Sequence, residues 1–320
     1  MPLIKSQYRA PFLFRNGNLN TIAAAMLRQV KDAGYTRERI ITPDDDFLDL
    51  DWLNSNSKKI ALLIHGLEAS AGTPYMKGMA KALFRAGYKA VAMNLRGCSG
   101  VTNHRLRAYH CGATDDVATV INHVLQHHEC EELVLIGFSL GGNLVLKYLG
   151  ENGNSIPPQI KKAMVISAPC DLEAASAKLD DHSNFIYRNR FLVTLRNKAL
   201  ERIHCHGFDL PEKDLASIKT FREYDDRVTA PLFGFADASD YYSKSSSKNF
   251  IQHITIPALI LTARDDPFFT PACFPFEECH NHEKVILETP DHGGHAGFIL
   301  DLPWGNYFSE QRAIEFFNDD

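Results

Sequence analysis

The chain has 320 residues, 45% of them apolar and 23% charged, with 34 basic side chains against 39 acidic ones for a net charge of −5. These values exclude a disordered or fibrous chain and supply a core that needs no disulfide or metal staple. They also show no overall basic excess that would point to nucleic acid or anionic lipid. The seven cysteines, an odd set with no CxxC pair, read as free thiols in a reducing compartment. With no apolar signal-peptide region and no run of 18 apolar residues, the expectation is a cytoplasmic protein without a membrane span.

In chain order, residues 1–36 read as an N-terminal extension. Arg39–Thr42 and Phe47–Leu53 then flank Pro43-Asp44-Asp45-Asp46 and predict an antiparallel hairpin on a sheet edge. Short runs rich in Val, Ile and Leu follow at Ile60–Ile64, Ala90–Met93, Leu133–Ile136 and Ala163–Ser167. Two more stand at Ala258–Thr262 and Val285–Leu287. Unbroken apolar runs fit strands buried on both faces of a parallel sheet. Between them, Thr73 as N-cap and Pro74 at the first position open a helix to about Arg85, stopped at Gly87. Asp115 to about His127 predicts a second helix, and Leu140–Leu149 a third, closed by Gly150. The alternation argues for an α/β fold with a mostly parallel, doubly wound sheet.

From about 171 to 249 the alternation lapses into a mostly helical stretch with aromatics such as Phe221, Tyr224, Phe233 and Tyr241. An insertion between two strands of one sheet is a cap, so residues 1–320 are expected to form one domain with a helical cap insertion at about 171–249.

The strand Leu133–Ile136 runs into Gly137-Phe138-Ser139-Leu140-Gly141-Gly142 and then a helix. This is G-x-S-x-G in the strand–turn–helix setting that makes the serine a nucleophile. Chance supplies the bare pattern only about 0.07 times in such a chain. A serine needs a base, and the base a carboxylate to orient it. Asp265-Asp266-Pro267 follows a strand, and Pro267 breaks that strand so that what precedes it is exposed. Asp266 is the first choice of acid and Asp265 its competitor. His295, among Gly293, Gly294 and Gly297, is the candidate base, with His292 its rival in the same loop. The oxyanion formed on attack needs backbone donors, expected from Leu140 after the nucleophile and Leu67 in the His65-Gly66-Leu67-Glu68 turn. The His65 side chain is expected to shape that turn.

Other groupings carry less. His110 and Asp115 spell H-x4-D, a pattern associated with acyltransferases, but they sit where a loop meets a helix start that favours acids. Cys279-His280-Asn281-His282 has no second cluster to close a metal site and reads as a loop. Neither nucleotide-binding glycine motif is present. No metal and no cofactor are expected.

Together these pieces resemble the α/β-hydrolase superfamily, and more narrowly its YheT-like branch, whose eukaryotic relatives include membrane-associated lipases. The resemblance rests on Asn16 to Ile22, His65 to Glu68 with Pro74-Tyr75, and Asn94-Leu95-Arg96-Gly97-Cys98-Ser99-Gly100. It continues through Gly137 to Gly142, Tyr224-Asp225-Asp226, Asp265 to Phe268 and Gly293 to Phe298. The chain departs from the branch at Leu19-Asn20-Thr21, where members often carry His-Gln-Thr, and the eukaryotic type of N-terminal anchor is not expected. The resemblance implies an α/β-hydrolase fold and an esterase triad at Ser139, Asp266 and His295.

The expected function is therefore hydrolysis of a small-molecule carboxylic ester, of short- to medium-chain or lipid type, through an acyl-enzyme. A thioesterase or acyltransferase would use the same triad, and a non-catalytic binding protein on this fold is the remaining alternative.

Overall fold

In the computed structural model of the protein, which describes residues 3–31, 33–207 and 210–319, nine strands form one sheet among those residues. They are β1 (Leu3–Ile4), β2 (Thr36–Ile41), β3 (Phe47–Leu53), β4 (Lys59–Ile64), β5 (Lys89–Asn94), β6 (Glu132–Phe138), β7 (Ile160–Ile166), β8 (Ala258–Leu261) and β9 (Val285–Glu288). Their order is β1-β9-β8-β7-β6-β4-β5-β3-β2, parallel from β1 to β5. The expected hairpin β2–β3 joins antiparallel at the far edge. Residues 1, 2 and 32 of the expected extension and residues 208 and 209 of the expected insertion lie outside the described residues.

The unbroken apolar runs are buried on both faces, as their pattern requires. Along β4, Ile60, Leu62 and Ile64 enter one core layer while Ala61 and Leu63 enter the other. Helices α1 (Gly17–Leu27), α2 (Pro74–Arg85), α3 (Thr114–His127) and α4 (Leu140–Asn152) precede or separate the first strands. Between β7 and β8 come α5 (Leu172–Asp180), α6 (Phe185–His206), α7 (Glu212–Ser217), α8 (Phe221–Tyr224), α9 (Ala230–Phe233) and α10 (Ala238–Ser245), with a π turn at Asp225–Thr229. The chain closes with α11 (Phe276–His280) and α12 (Phe308–Asn318).

Two local readings need correction. Thr73 stands at the N-cap of α2, but its hydroxyl accepts from Ser70 N–H rather than from the helix, so it ties the preceding turn instead. Gly150 does not end α4, which runs on to Asn152. A Cβ on Gly150 would lie 2.1 Å from the Phe250 carbonyl, so that glycine serves close packing, and Gly153 at φ +47° makes the turn. Described residues of the span read as an N-terminal extension pack on the sheet. Leu3–Ile4 extends the sheet beside β9, and Tyr8 is buried with its hydroxyl on the Ile299 carbonyl.

The turn Pro43–Asp46 has a specific partner. Arg96, fully buried, bonds Asp44, Asp46 and Asp116, with distances from 2.8 to 3.1 Å. This cluster ties the hairpin, the loop after β5 and the start of α3 together. Burying such charges is tolerable only because each is paired.

Candidate active site

Ser139 follows β6 with φ +52° and ψ −121°, a strained conformation for any residue with a side chain. The turn closes only because its neighbours lack a Cβ. One on Gly137 would lie 2.4 Å from the Gly141 carbonyl, and one on Gly141 would lie 2.3 Å from that of Ile64. The hydroxyl is thereby held at the carboxyl edge of the sheet and at the N-terminus of α4.

His295 Nε2 lies 2.9 Å from Ser139 Oγ, and its Nδ1 lies 2.8 Å from Asp266 Oδ2. Asp266 is buried, and its second oxygen accepts from the Phe268 N–H at 2.9 Å. That arrangement puts the imidazole proton on Nδ1 and leaves Nε2 to accept from the serine. Phe268 and Phe269 pack on the ring at 4.3 and 5.5 Å between centroids and keep water from its flanks.

The rivals form a pair of their own. Asp265 Oδ2 stands 3.4 Å from His292 Nδ1, and Asp265 Oδ1 accepts from Gly294 N–H at 2.9 Å. Burial pushes the Asp265 carboxyl up from its ordinary range. Neither residue bonds Ser139, so among the described residues they brace the loop behind it.

The turn after β4 approaches the serine closely, since a Cβ on Gly66 would lie 3.0 Å from Ser139 Cβ. Among the described residues, the N–H groups of Leu67 and Leu140 donate to no protein acceptor. The turn is held by its side chains. His65 Nδ1–H donates to Gly66 O at 2.7 Å while its Nε2 accepts from Leu95 N–H, the structural role expected of it. Burial holds that imidazole down at about 4, so it stays neutral. Gly66 N–H donates to Tyr75 Oη, and Glu68 N–H to Tyr109 Oη, both at 3.0 Å. The Tyr109 hydroxyl in turn donates to Glu68 Oε1, whose partner oxygen meets Lys198 of α6 at 3.1 Å.

Sequence reasoning did not single out Tyr109 or Lys198, and Thr21 entered only within the family segment, without a role. Thr21 Oγ1 accepts the His295 main-chain N–H, and nothing in the local pattern around residue 21 signals a contact so far along the chain. Tyr75 stands beside the oxyanion turn only in the family resemblance.

A cavity of about 130 Å³ opens on Ser139 and His295 beneath the inserted helices. Its walls are mostly apolar, including Leu172, Leu179, Phe221, Val228 and Phe233. Asp225 of the π turn faces it, accepting from Thr229 and Tyr242 hydroxyls at 2.6 and 2.7 Å. Burial raises its pKa to about 6. The aromatics of the insertion thus divide, with Phe221, Tyr224 and Phe233 on the cavity and Phe185 on the outer surface.

Residues with metal-ligating groups are already engaged. Glu38, His123 and His128 come within 4.8 Å of one another, but His128 Nδ1 accepts from Lys89, so its proton sits on Nε2 facing Glu38. Trp52 Nε1–H also donates to Glu38, and the group serves to pin β2 to α3. His282 Nδ1 accepts from two backbone amides, as befits a loop. His110 Nδ1 likewise accepts from Gly112 N–H, and Asp115 pairs with Arg107.

Residues 61–302 match the sequence profile of a family described as the alpha/beta hydrolase fold. A protein of Escherichia coli (strain K12) that carries the name esterase YheT is 34% identical over 89% of this chain and 85% of its own length. The phospholipase ABHD3 of Bos taurus is 32% identical over 83% of this chain and 66% of its own. Among solved structures, the Pyrococcus furiosus esterase Pf2001 aligns with a TM-score of 0.59 at 18% identity, over 91% of this chain and 95% of that one. At that identity the likeness is one of fold.

Proposed function

The chain belongs to the α/β-hydrolase family, in the branch of the YheT-named esterase, and from that premise we propose that it hydrolyses carboxylic esters through a serine acyl-enzyme. The observation that carries this reading is the unbroken relay Ser139–His295–Asp266 at 2.9 and 2.8 Å, opening on an apolar cavity.

Ser139 Oγ attacks the ester carbonyl as His295 Nε2 takes its proton. Asp266 holds the tautomer and stabilises the imidazolium that forms. The oxyanion is received by the Leu67 and Leu140 N–H groups, which stand ready without breaking a protein hydrogen bond. His295 then protonates the leaving alcohol. Water, deprotonated by the same imidazole, attacks the acyl-enzyme, and release of the carboxylic acid restores Ser139. The apolar walls suit an acyl chain of short to medium length or the acyl portion of a lipid ester, in keeping with relatives named esterase and phospholipase.

A fluorophosphonate probe tests the nucleophile. Wild type is labelled in proportion to active protein, and Ser139→Ala is not. Equal labelling of that variant, or turnover of a p-nitrophenyl ester by it at the wild-type rate, would overturn the reading.

A further inference from the structure

Helix α1 is turned inside out. Its buried residues are Gly17, Asn20, Thr21 and Ala23, whereas Leu19, Ile22, Met26 and Leu27 face outward. The offsets of three, seven and eight residues place those four on one stripe. In the turn just before it, Phe12 and Leu13 are 81% and 71% exposed, and Met26 reaches 72%. A helix facing only water shows the reverse pattern, because exposed apolar surface and buried polar groups both cost free energy. The inward polar groups have tasks here. Asn20 donates to the Phe14 carbonyl, and Thr21 holds the His295 N–H.

The apolar surface extends on both sides of α1. Trp304, 61% exposed, shares a surface depression with Arg28, Val30 and Lys31 just past the helix end. Tyr187 Oη bonds Asn18 Oδ1 at 3.0 Å, which brings the exposed Phe185 and Ile186 of α6 alongside. The charges follow the same boundary. Residues 3–31 hold five Lys or Arg and no Asp or Glu, with Arg28 buried against Glu310, and residues 182–200 hold four and none, with Lys198 turned to Glu68, in a chain whose net charge is −5. Lys5, Arg9, Arg15, Lys31 and Arg190 are exposed. The whole-chain balance, which shows no basic excess, conceals this local one.

We infer that this face docks on the surface of an anionic lipid bilayer, with α1 and the turn before it lying in the headgroup layer. Apolar side chains on one stripe with basic residues about them are what such a surface recognises, and Trp304 is suited to the same interface. Among the described residues no helix is long and apolar enough to cross a membrane, so the contact is peripheral. Self-association through a two-fold axis would set one basic patch against another, which opposes a dimer here. Docking would bring lipid to within about 10 Å, one helix diameter, of the loop that carries His295.

Co-sedimentation with phosphatidylcholine vesicles, with and without phosphatidylglycerol, tests the inference without any turnover, so failure of the ester reading leaves it intact. Wild type is expected to pellet with the anionic vesicles and to be released by high salt. The triple variant Phe12→Ser/Leu13→Ser/Met26→Ser, and separately Arg9→Glu/Arg15→Glu, are expected to partition roughly tenfold less. Retained thermal transitions and far-ultraviolet circular dichroism serve as folding controls. Wild type remaining in the supernatant, or variants pelleting like wild type, would overturn the inference. So would a dimer, seen by sedimentation velocity, that the same substitutions dissolve, since the face would then join two copies of the chain.

Discussion

Thr21 Oγ1 accepts the main-chain N–H of His295 at 2.8 Å, joining residues 274 apart in sequence. The same hydroxyl donates to Gly17 O at 2.7 Å, so both its capacities are used. A helix from the start of the chain therefore sets the position of the proposed base near its end. Thr21→Val keeps the shape and removes the acceptor. With a net hydrogen bond worth about 1 kcal/mol, kcat is expected to fall roughly five- to tenfold while KM stays within about twofold. Thr21→Ser should restore most of it. Steady-state kinetics on a soluble ester decide the matter, and an unchanged kcat in the valine variant would remove Thr21 from the positioning of His295.

The two adjacent aspartates should separate cleanly. Asp266→Asn leaves the ring without its anionic partner, and kcat is expected to drop on the order of 10⁴-fold. Asp265→Asn touches only the outer bracing of the loop and should cost less than about tenfold. Comparable losses in the two variants would mean that the acid has been misassigned.

Asp225 gives a pH-dependent stability. Its pKa is raised to about 6 in the folded state, chiefly by burial, against an ordinary value of 3.8. The folded protein then binds more protons than the unfolded chain between these values, so stability is fullest below about pH 4 and declines as pH rises through about 6. The shift corresponds to roughly 3 kcal/mol. Urea denaturation of wild type and Asp225→Asn across this range is the measurement. The difference between them should change by that amount in favour of the asparagine variant at neutral pH. Parallel curves would show that Asp225 titrates normally.

Removing the buried cation at Arg96 leaves Asp46 and Asp116 uncompensated in the interior. Arg96→Met is expected to destabilise the fold by about 3–5 kcal/mol, seen as a lowered midpoint in denaturant. Asp44 is half-exposed, and the Arg96 guanidinium helps hold its carboxyl down at about 2. Asp44→Asn should therefore cost much less, about 1 kcal/mol.

Much of this could be read from the residues in order. Strands that are apolar at every position announce a sheet covered on both faces. The run from Leu133 to Gly142 specifies its own turn, because the strained serine and the Cβ-free positions around it are neighbours in sequence. The hairpin before Ile60 was legible for the same reason, its turn being written in Pro43 to Asp46.

What the sequence could not decide was choice among neighbours and contact across distance. Asp265 and Asp266 are the same residue type side by side, and so, three positions apart, are His292 and His295. Only packing joins one of each pair into the relay to Ser139 and turns the other two toward each other. Gly150 reads as a helix stop until the Phe250 carbonyl is found against it. That α1 buries its polar residues and exposes its apolar ones is likewise decided by partners far along the fold, such as His295 for Thr21. Local backbone preference extends over a few residues and is written in them, whereas which side chain meets which depends on the summed packing of elements far apart in the chain, and the tertiary structure alone determines that.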